Sequence, residues 1–437
     1  MTVGLEASEC AVAARRAGNE QPTDLSMFER LGWSSHADEC GPKTAALASL
    51  ADLAAPDPVP SVAYQSRGNV LVVAGDAAER ARRAAQALAA ELHVTLLVQG
   101  ERPEAAGYVA WSGQVESIHG HLGEFSVVLG GLATADGVAG TPTAAKFDLV
   151  LDFRAEPLFT MRFPPQGYFR APAGDEALAP MLAELRDAVG EFEKPRYFNY
   201  RESICAHSRS EVTGCTACIE VCSTEAISTD GDRIKVDPHL CMGCGTCATV
   251  CPSGAMSYQY PRVAERGAQI RHLLGAYRQA QGRDACVLFH GGQDGRALLA
   301  SAAAGGRGLP PRVLPLETWS IAAIGLDLLL PAIAYGASQV VLLSTGSDDA
   351  VELAAIRQQM AIGQAVLAAL GYEGVHFAVI EAAAPDAVAA EFARLAPAAG
   401  PASPASFLLG NDKRTAMEFA VEHLVKHAPR RVEEIAL

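Results

Sequence analysis

The chain reads as a multidomain protein of the α/β and α+β classes, in which two α/β domains with parallel sheets flank a small cysteine-rich module. Three observations predict this. A length of 437 residues with 49% apolar composition is enough for more than one core. Short apolar runs alternate with helix-length segments on both sides of a central region, the pattern of parallel sheets covered on both faces. Eight of the eleven cysteines fall between Cys205 and Cys251.

Residues 1–60 are weakly patterned, and APDPVP at 55–60 reads as a linker. NVLVVAG (69–75), AAERARRAAQALAAEL (77–92) and HVTLLVQ (93–99) form a strand–helix–strand unit. SVVLGG (126–131) and FDLVLDF (147–153) add strands, and a loop with prolines and aromatics, FPPQGYFRAP (163–172), leads to a helix near 175–193. The first α/β domain is thus expected over 61–195 and the cysteine module over 196–262. A second α/β domain is expected over 263–400. Its strands are CVLFH (286–290), RVLPLE (312–317), QVVLLST (339–345) and VHFAVIE (375–381), with helices at 348–371 and 385–396 among those between them. The remainder, 401–437, reads as linker and a last amphipathic helix at about 412–427. The longest apolar stretch, Ile321–Leu343, contains Asp327, Pro331 and Gly336, so it is expected to be a buried helix and strand rather than a membrane span.

The net charge of −15 excludes a nucleic-acid binder and suits docking to a basic patch on a redox partner. Cys10, Cys40 and Cys286 are scattered, which is not a disulfide framework and points to a reducing compartment. The N-terminal MTVGLEASECAVAARR lacks the basic start and apolar core of a signal peptide, so a cytoplasmic location is expected.

The chemistry is carried by Cys241, Cys244, Cys247 and Cys251, spaced C-x2-C-x2-C-x3-C and followed by Pro252. Two-residue gaps let three thiolates curl around one iron–sulfur cube, while the fourth points to another. Cys205, Cys215, Cys218 and Cys222 make a looser copy upstream. Two [4Fe–4S] clusters are therefore expected, one on Cys205, Cys215, Cys218 and Cys251, the other on Cys222, Cys241, Cys244 and Cys247. Structural zinc fits worse, because zinc sites pair cysteines across a long gap. A thioredoxin-type reading of CTAC or CMGC leaves the flanking cysteines unexplained. Gly214, Gly243, Gly245 and Gly254 would let the backbone turn its amides toward sulfur. Between the motifs, 226–236 reads as a β-hairpin with an Asp-Gly turn, and CPSGAMSY offers a further strand.

The first motif departs in two ways: nine residues, AHSRSEVTG, separate Cys205 from Cys215, and Ser223 follows Cys222 where the second motif has proline. Either the loop is an insertion and Cys205 is a ligand, or Cys205 is free and a three-cysteine site holds a [3Fe–4S] cluster or is capped by His207. The same loop, through His207 and Arg209, could tune a cluster or be solvated.

Other features carry less. VLVVAGDAAER lacks the dinucleotide glycine fingerprint and reads as structural. Asp348 and Asp349 after VLLSTGS read as a helix N-cap. Cys286 and His290 share an apolar strand and read as core. The FPPQGYF loop either shields a cluster or packs a domain. No catalytic constellation is evident, so an electron carrier or electron-transfer subunit is expected before a stand-alone enzyme. The alternatives are a flavin- or NAD(P)-linked oxidoreductase subunit, and a maturation or scaffold protein with structural or redox-sensing clusters.

Residues 205–258, through GCTACIEVCSTEAI and CMGCGTCATVCPSGAM, resemble bacterial two-cluster ferredoxins. The phrases PKTAALASL, FDLVLDF, PPQGYF, GCTACIEVC and GNDKRTAMEFAVEHL resemble the large ferredoxin-like iron–sulfur proteins found with proteobacterial formate dehydrogenases. That resemblance implies electron transfer in a formate-oxidising system, with a dehydrogenase or its acceptor as partner. It also implies further ferredoxin motifs beyond the helix at 412–427, so a fragment or a reduced form is expected. The region with GLPPRVLPLE loosely resembles the delta subunit of some hydrogenases, which implies subunit contact.

Overall fold

The computed structural model describes residues 41–100, 107–132, 143–207, 214–304, 308–346 and 348–430. Among them the architecture is mixed α/β, with two parallel sheets and the cysteine module between them in sequence.

The first sheet has five parallel strands in the order Val109–Ser112, His93–Val98, Asn69–Val73, Leu149–Asp152, Tyr168–Arg170. Its central strands are mostly apolar because both faces are covered. Val70 and Val72 pack with helices Ala78–Leu88 and Leu178–Asp187. Leu71 and Val73 pack with Phe125, Val127, Leu129 and Phe147. That second cover is a three-stranded antiparallel sheet made by Gln114–His119, Phe125–Gly130 and Thr143–Phe147. The segment SVVLGG is thus a strand as expected, but it alternates toward a cover sheet instead of joining the parallel one.

The helix expected over 175–193 stops at Asp187. Gly190, at φ 137°, takes a conformation a helix does not admit. Gly190–Pro195 becomes a strand paired antiparallel with Ser61–Ser66. This ribbon carries the chain into the cysteine module.

The second parallel sheet has the order Val313–Thr318, Cys286–Gly291, Gln339–Ser344, Phe377–Glu381. Cys286, Leu288, Val341 and Leu343 face helices Gln293–Ala304 and Pro385–Arg394. Phe289, Leu314, Val340 and Leu342 face the larger core. Helices Val263–Gln279, Leu326–Ala334, Ala350–Ala369 and Lys413–Lys426 complete that core. Helix Gly41–Ser49 joins it through Ala46 and Leu47, an element not foreseen in the weakly patterned N-terminal region. Cys286 and His290 are fully buried core residues, as expected. The stretch from Ile321 to Leu343 is a buried helix and strand, and no helix among the described residues is long and apolar enough to cross a membrane.

Candidate metal centre

The module is built on two short antiparallel pairs. Ile227–Asp230 and Arg233–Val236 form the expected hairpin around Gly231. The strand expected in CPSGAMSY is Met256–Tyr258, and its partner is Phe198–Tyr200 rather than the hairpin. Two short helices, Ala217–Glu220 and Thr246–Val250, carry Cys218 and Cys247. The glycines around the second are required by space. Gly243 has φ 79°, and a Cβ there would stand 2.6 Å from the Tyr197 ring. Gly245, the residue capping Thr246–Val250, has φ 82°, and a Cβ would stand 2.6 Å from Ala323.

No disulfide joins the eight clustered cysteines. Cys205, Cys215, Cys218 and Cys251 line one cavity, together with Tyr200, Ile234 and Met256. Cys222, Cys241, Cys244 and Cys247 gather separately, close enough that the charges of Cys244, Cys241 and Cys222 all bear on Cys247. The sets adjoin, since Cys218 also acts on Cys247. Among the described residues no three His, Cys, Asp or Glu close on a single ion.

Burial and mutual repulsion dominate the electrostatics of the thiols. Burial, then the neighbouring Cys251, Cys215 and Cys205, pushes the Cys218 thiol up to about 12. Burial, then Glu352, does the same to Cys244, also to about 12, and burial carries Cys247 well above the ordinary thiol range. Burial raises Cys241 against the opposing Gly243 amide and Lys194. Cys251 runs the other way. Burial pushes it up, but the Met256 amide, the Ser253 hydroxyl and amide and Lys413 together carry it below the ordinary value. Buried thiols that repel one another resist ionisation; a cationic metal core reverses the balance, because a coordinating thiol is deprotonated outright. Sulfur also has donors at hand: the Met256 amide lies 3.4 Å from Cys251 Sγ, and Thr246 Oγ1 lies 3.5 Å from Cys244 Sγ.

Three charged residues at the site were not singled out from sequence. Lys413 is 7% exposed, and its Nζ donates to Ala248 O at 2.8 Å and Thr249 O at 2.6 Å, at the end of the helix between Cys247 and Cys251. Lys194 Nζ donates to Cys241 O at 2.8 Å and His239 O at 2.6 Å. Glu352, whose carboxyl burial pushes up, accepts from Ser223 Oγ at 3.1 Å and bonds Cys244. They come from flanking segments far along the chain, and no local motif marks them. The sole hint was GNDKRTAMEFAVEHL, which holds Lys413.

The remaining candidates take other places. His207 is buried, with Nδ1 3.0 Å from Cys215 O. Arg209 lies outside the described residues. Asp349 caps helix Ala350–Ala369, accepting from the Val351 amide at 2.6 Å. In the FPPQGYF loop Tyr168 enters the first sheet, and Phe159, upstream of the loop, packs on it. Arg162 reaches Asp349 at 3.2 Å.

A sequence family described as a 4Fe-4S dicluster domain matches residues 213–255. Among curated proteins, Hydrogenase-4 component A of Escherichia coli is 44% identical over 52 residues, 12% of this chain and 25% of that protein. Indolepyruvate oxidoreductase subunit IorA of Pyrococcus horikoshii is 46% identical over 50 residues, 11% of this chain and 8% of its own. Ferredoxin 7Fe of Hydrogenibacillus schlegelii is 37% identical over 43 residues, 10% of this chain and 55% of its own. The chain thus spans a quarter or less of the two larger relatives and just over half of the ferredoxin. No solved structure matches. Within its mixed α/β architecture, the chain carries a 4Fe–4S dicluster ferredoxin domain at residues 213–255, an iron–sulfur module of the electron-transfer kind.

Proposed function

We propose that the protein relays single electrons through two [4Fe–4S] clusters, to or from a dehydrogenase such as formate dehydrogenase. Cys205, Cys215, Cys218 and Cys251 would hold one cluster, and Cys222, Cys241, Cys244 and Cys247 the other. The observation that carries this reading is the crossing of ligands. Cys251, from the second motif, acts on Cys218 beside Cys215 and Cys205, while Cys222, from the first, acts on Cys241 and Cys247.

When bound, the clusters supply one-electron chemistry. The chain's own residues supply the rest. Eight thiolates fix the two sites side by side. The amides of Gly243 and Met256 hydrogen-bond sulfur, and Lys194 and Lys413 place positive charge at the two ends of the ligand run, all of which favours the more negative, reduced state. The units 61–195 and 263–400 are read as domains that grip the module at 196–262. The formate dehydrogenase partner is supported by the resemblance of PPQGYF, GCTACIEVC and GNDKRTAMEFAVEHL. A redox partner in general is supported by relatives named as a hydrogenase component and an oxidoreductase subunit.

Iron and sulfide counting with EPR on anaerobically purified, dithionite-reduced protein tests the reading. About eight irons per chain with a coupled signal supports it. A second reading, a [3Fe–4S] cluster beside one [4Fe–4S], is favoured by the relative named Ferredoxin 7Fe and by the long gap after Cys205. It requires about seven irons and a signal in the oxidised protein.

A further inference from the structure

Met242, Tyr260 and Trp319 are 38%, 39% and 54% exposed, high for large apolar side chains, and they stand together. The Trp319 ring lies 6.0 Å from Tyr260, edge to face, and its Nε1 donates to Met242 O at 3.3 Å. Beneath them Tyr197 stacks on Trp319 at 5.5 Å and meets Tyr260 edge-on at 5.6 Å. Tyr197 is also the ring against which Gly243 packs. The patch therefore continues into the loop Cys241–Met242–Gly243–Cys244. Among the described residues, Met242 is the exposed large apolar side chain that belongs to a cysteine loop. In the other thiol set Cys205, Cys218 and Cys251 are buried at 7–9% exposure, and Cys215 is half-buried.

Resting on the two-cluster reading, we propose that this patch is the face on which a partner protein docks to exchange electrons with the Cys222, Cys241, Cys244 and Cys247 site. The geometry fits electron exchange, because tunnelling weakens steeply with distance and this loop is where that site reaches the surface. The composition fits an interface, whose centres are enriched in Trp, Tyr and Met. Charge fixes the partner's chemistry. Asp294 and Asp348 line a surface depression together with Trp319, and the chain carries a net −15. The complementary surface is an apolar centre around the partner's redox group, ringed by Lys or Arg, which also steers encounter.

The test uses full-length holoprotein, reduced with dithionite, and follows reduction of ferricytochrome c, a small protein with a lysine-ringed haem edge, by stopped flow. Ferricyanide, which needs no docking face, is the control oxidant. Trp319→Ala and Tyr260→Ala should each slow the cytochrome reaction roughly tenfold, the size of a hot-spot loss, with iron content, EPR and the ferricyanide rate unchanged. Asp294→Asn with Asp348→Asn should flatten the salt dependence of the cytochrome rate. Unchanged cytochrome kinetics in variants with full iron would overturn the docking face while leaving the two-cluster reading intact. A wild-type protein that fails the iron count removes that reading and this proposal with it. A dimer in sedimentation that dissociates in Trp319→Ala would assign the patch to a second copy and overturn the proposal.

Discussion

Replacing Lys413 with Met removes a buried charge at nearly constant shape. Its ammonium sits on the carbonyls of Ala248 and Thr249, between one thiol of each proposed cluster. Its charge is felt by Cys251 and by the buried Asp327. For an assumed separation of roughly 8 Å from the added electron and an effective dielectric near 20, one charge is worth about 2 kcal/mol, or about 90 mV for a one-electron couple. Both midpoint potentials should therefore fall, each by several tens of millivolts. Stability should fall too, because each hydrogen bond to a charged group contributes about 1.5–3 kcal/mol and two carbonyls lose their donor. The companion Asp327→Asn should move the potentials upward, since it leaves Lys413 without its opposing charge. The assay is a mediated redox titration read by EPR, with iron counted on the same sample. Midpoints unmoved beyond about 20 mV in Lys413→Met with full iron would refute the electrostatic reasoning.

Other outcomes are equally concrete. Cys205→Ala should lower iron below about eight per chain while the second cluster's signal persists; full iron retention would show that Cys205 is no ligand. Gly243→Ala forces a Cβ to within 2.6 Å of the Tyr197 ring at φ 79°, so the protein should purify with about half its iron. Lys43 is buried with no hydrogen-bond partner among the described residues, and burial lowers it from 10.5 to about 7. The unfolded chain thus binds the extra proton between those values, and stability should rise with pH across that window; below it both states are protonated and a cost of up to about 5 kcal/mol is in force. Lys43→Met should raise the melting temperature at pH 7, with its advantage shrinking toward pH 10. Tyr168→Phe deletes a buried hydroxyl 2.7 Å from Asp152 Oδ2 and should cost about 1.5–3 kcal/mol in denaturant titration.

Much of this was legible because it is local. Two-residue cysteine gaps, an Asp-Gly turn and apolar runs bounded by Gly fix short segments without reference to the rest of the chain. Both parallel sheets and the hairpin emerged from such signals. What was not legible depends on partners distant in sequence. Ser61–Ser66 alternates buried and exposed residues, yet its strand partner was hidden at the end of what read as a helix. The antiparallel cover sheet had one recognisable strand, Phe125–Gly130, since Gln114–His119 is polar on one side and half-buried on the other. Lys413, Lys194 and Glu352 sit at the candidate site through contacts spanning 164, 47 and 129 residues. Nothing near Lys194 or Glu352 in sequence distinguishes them from ordinary surface charges, and Lys413 is marked only by the resemblance of GNDKRTAMEFAVEHL.

The reach from Lys413 back to Thr249 also bears on how the protein is made. All eight clustered thiols have been synthesised by Cys251, but the residue that closes over the helix between Cys247 and Cys251 follows Thr249 by 164 positions. At 5–20 residues per second, a ribosome needs roughly 8–33 seconds to supply it. During that interval the nascent chain carries all eight clustered thiols without the lysine that closes over the second motif.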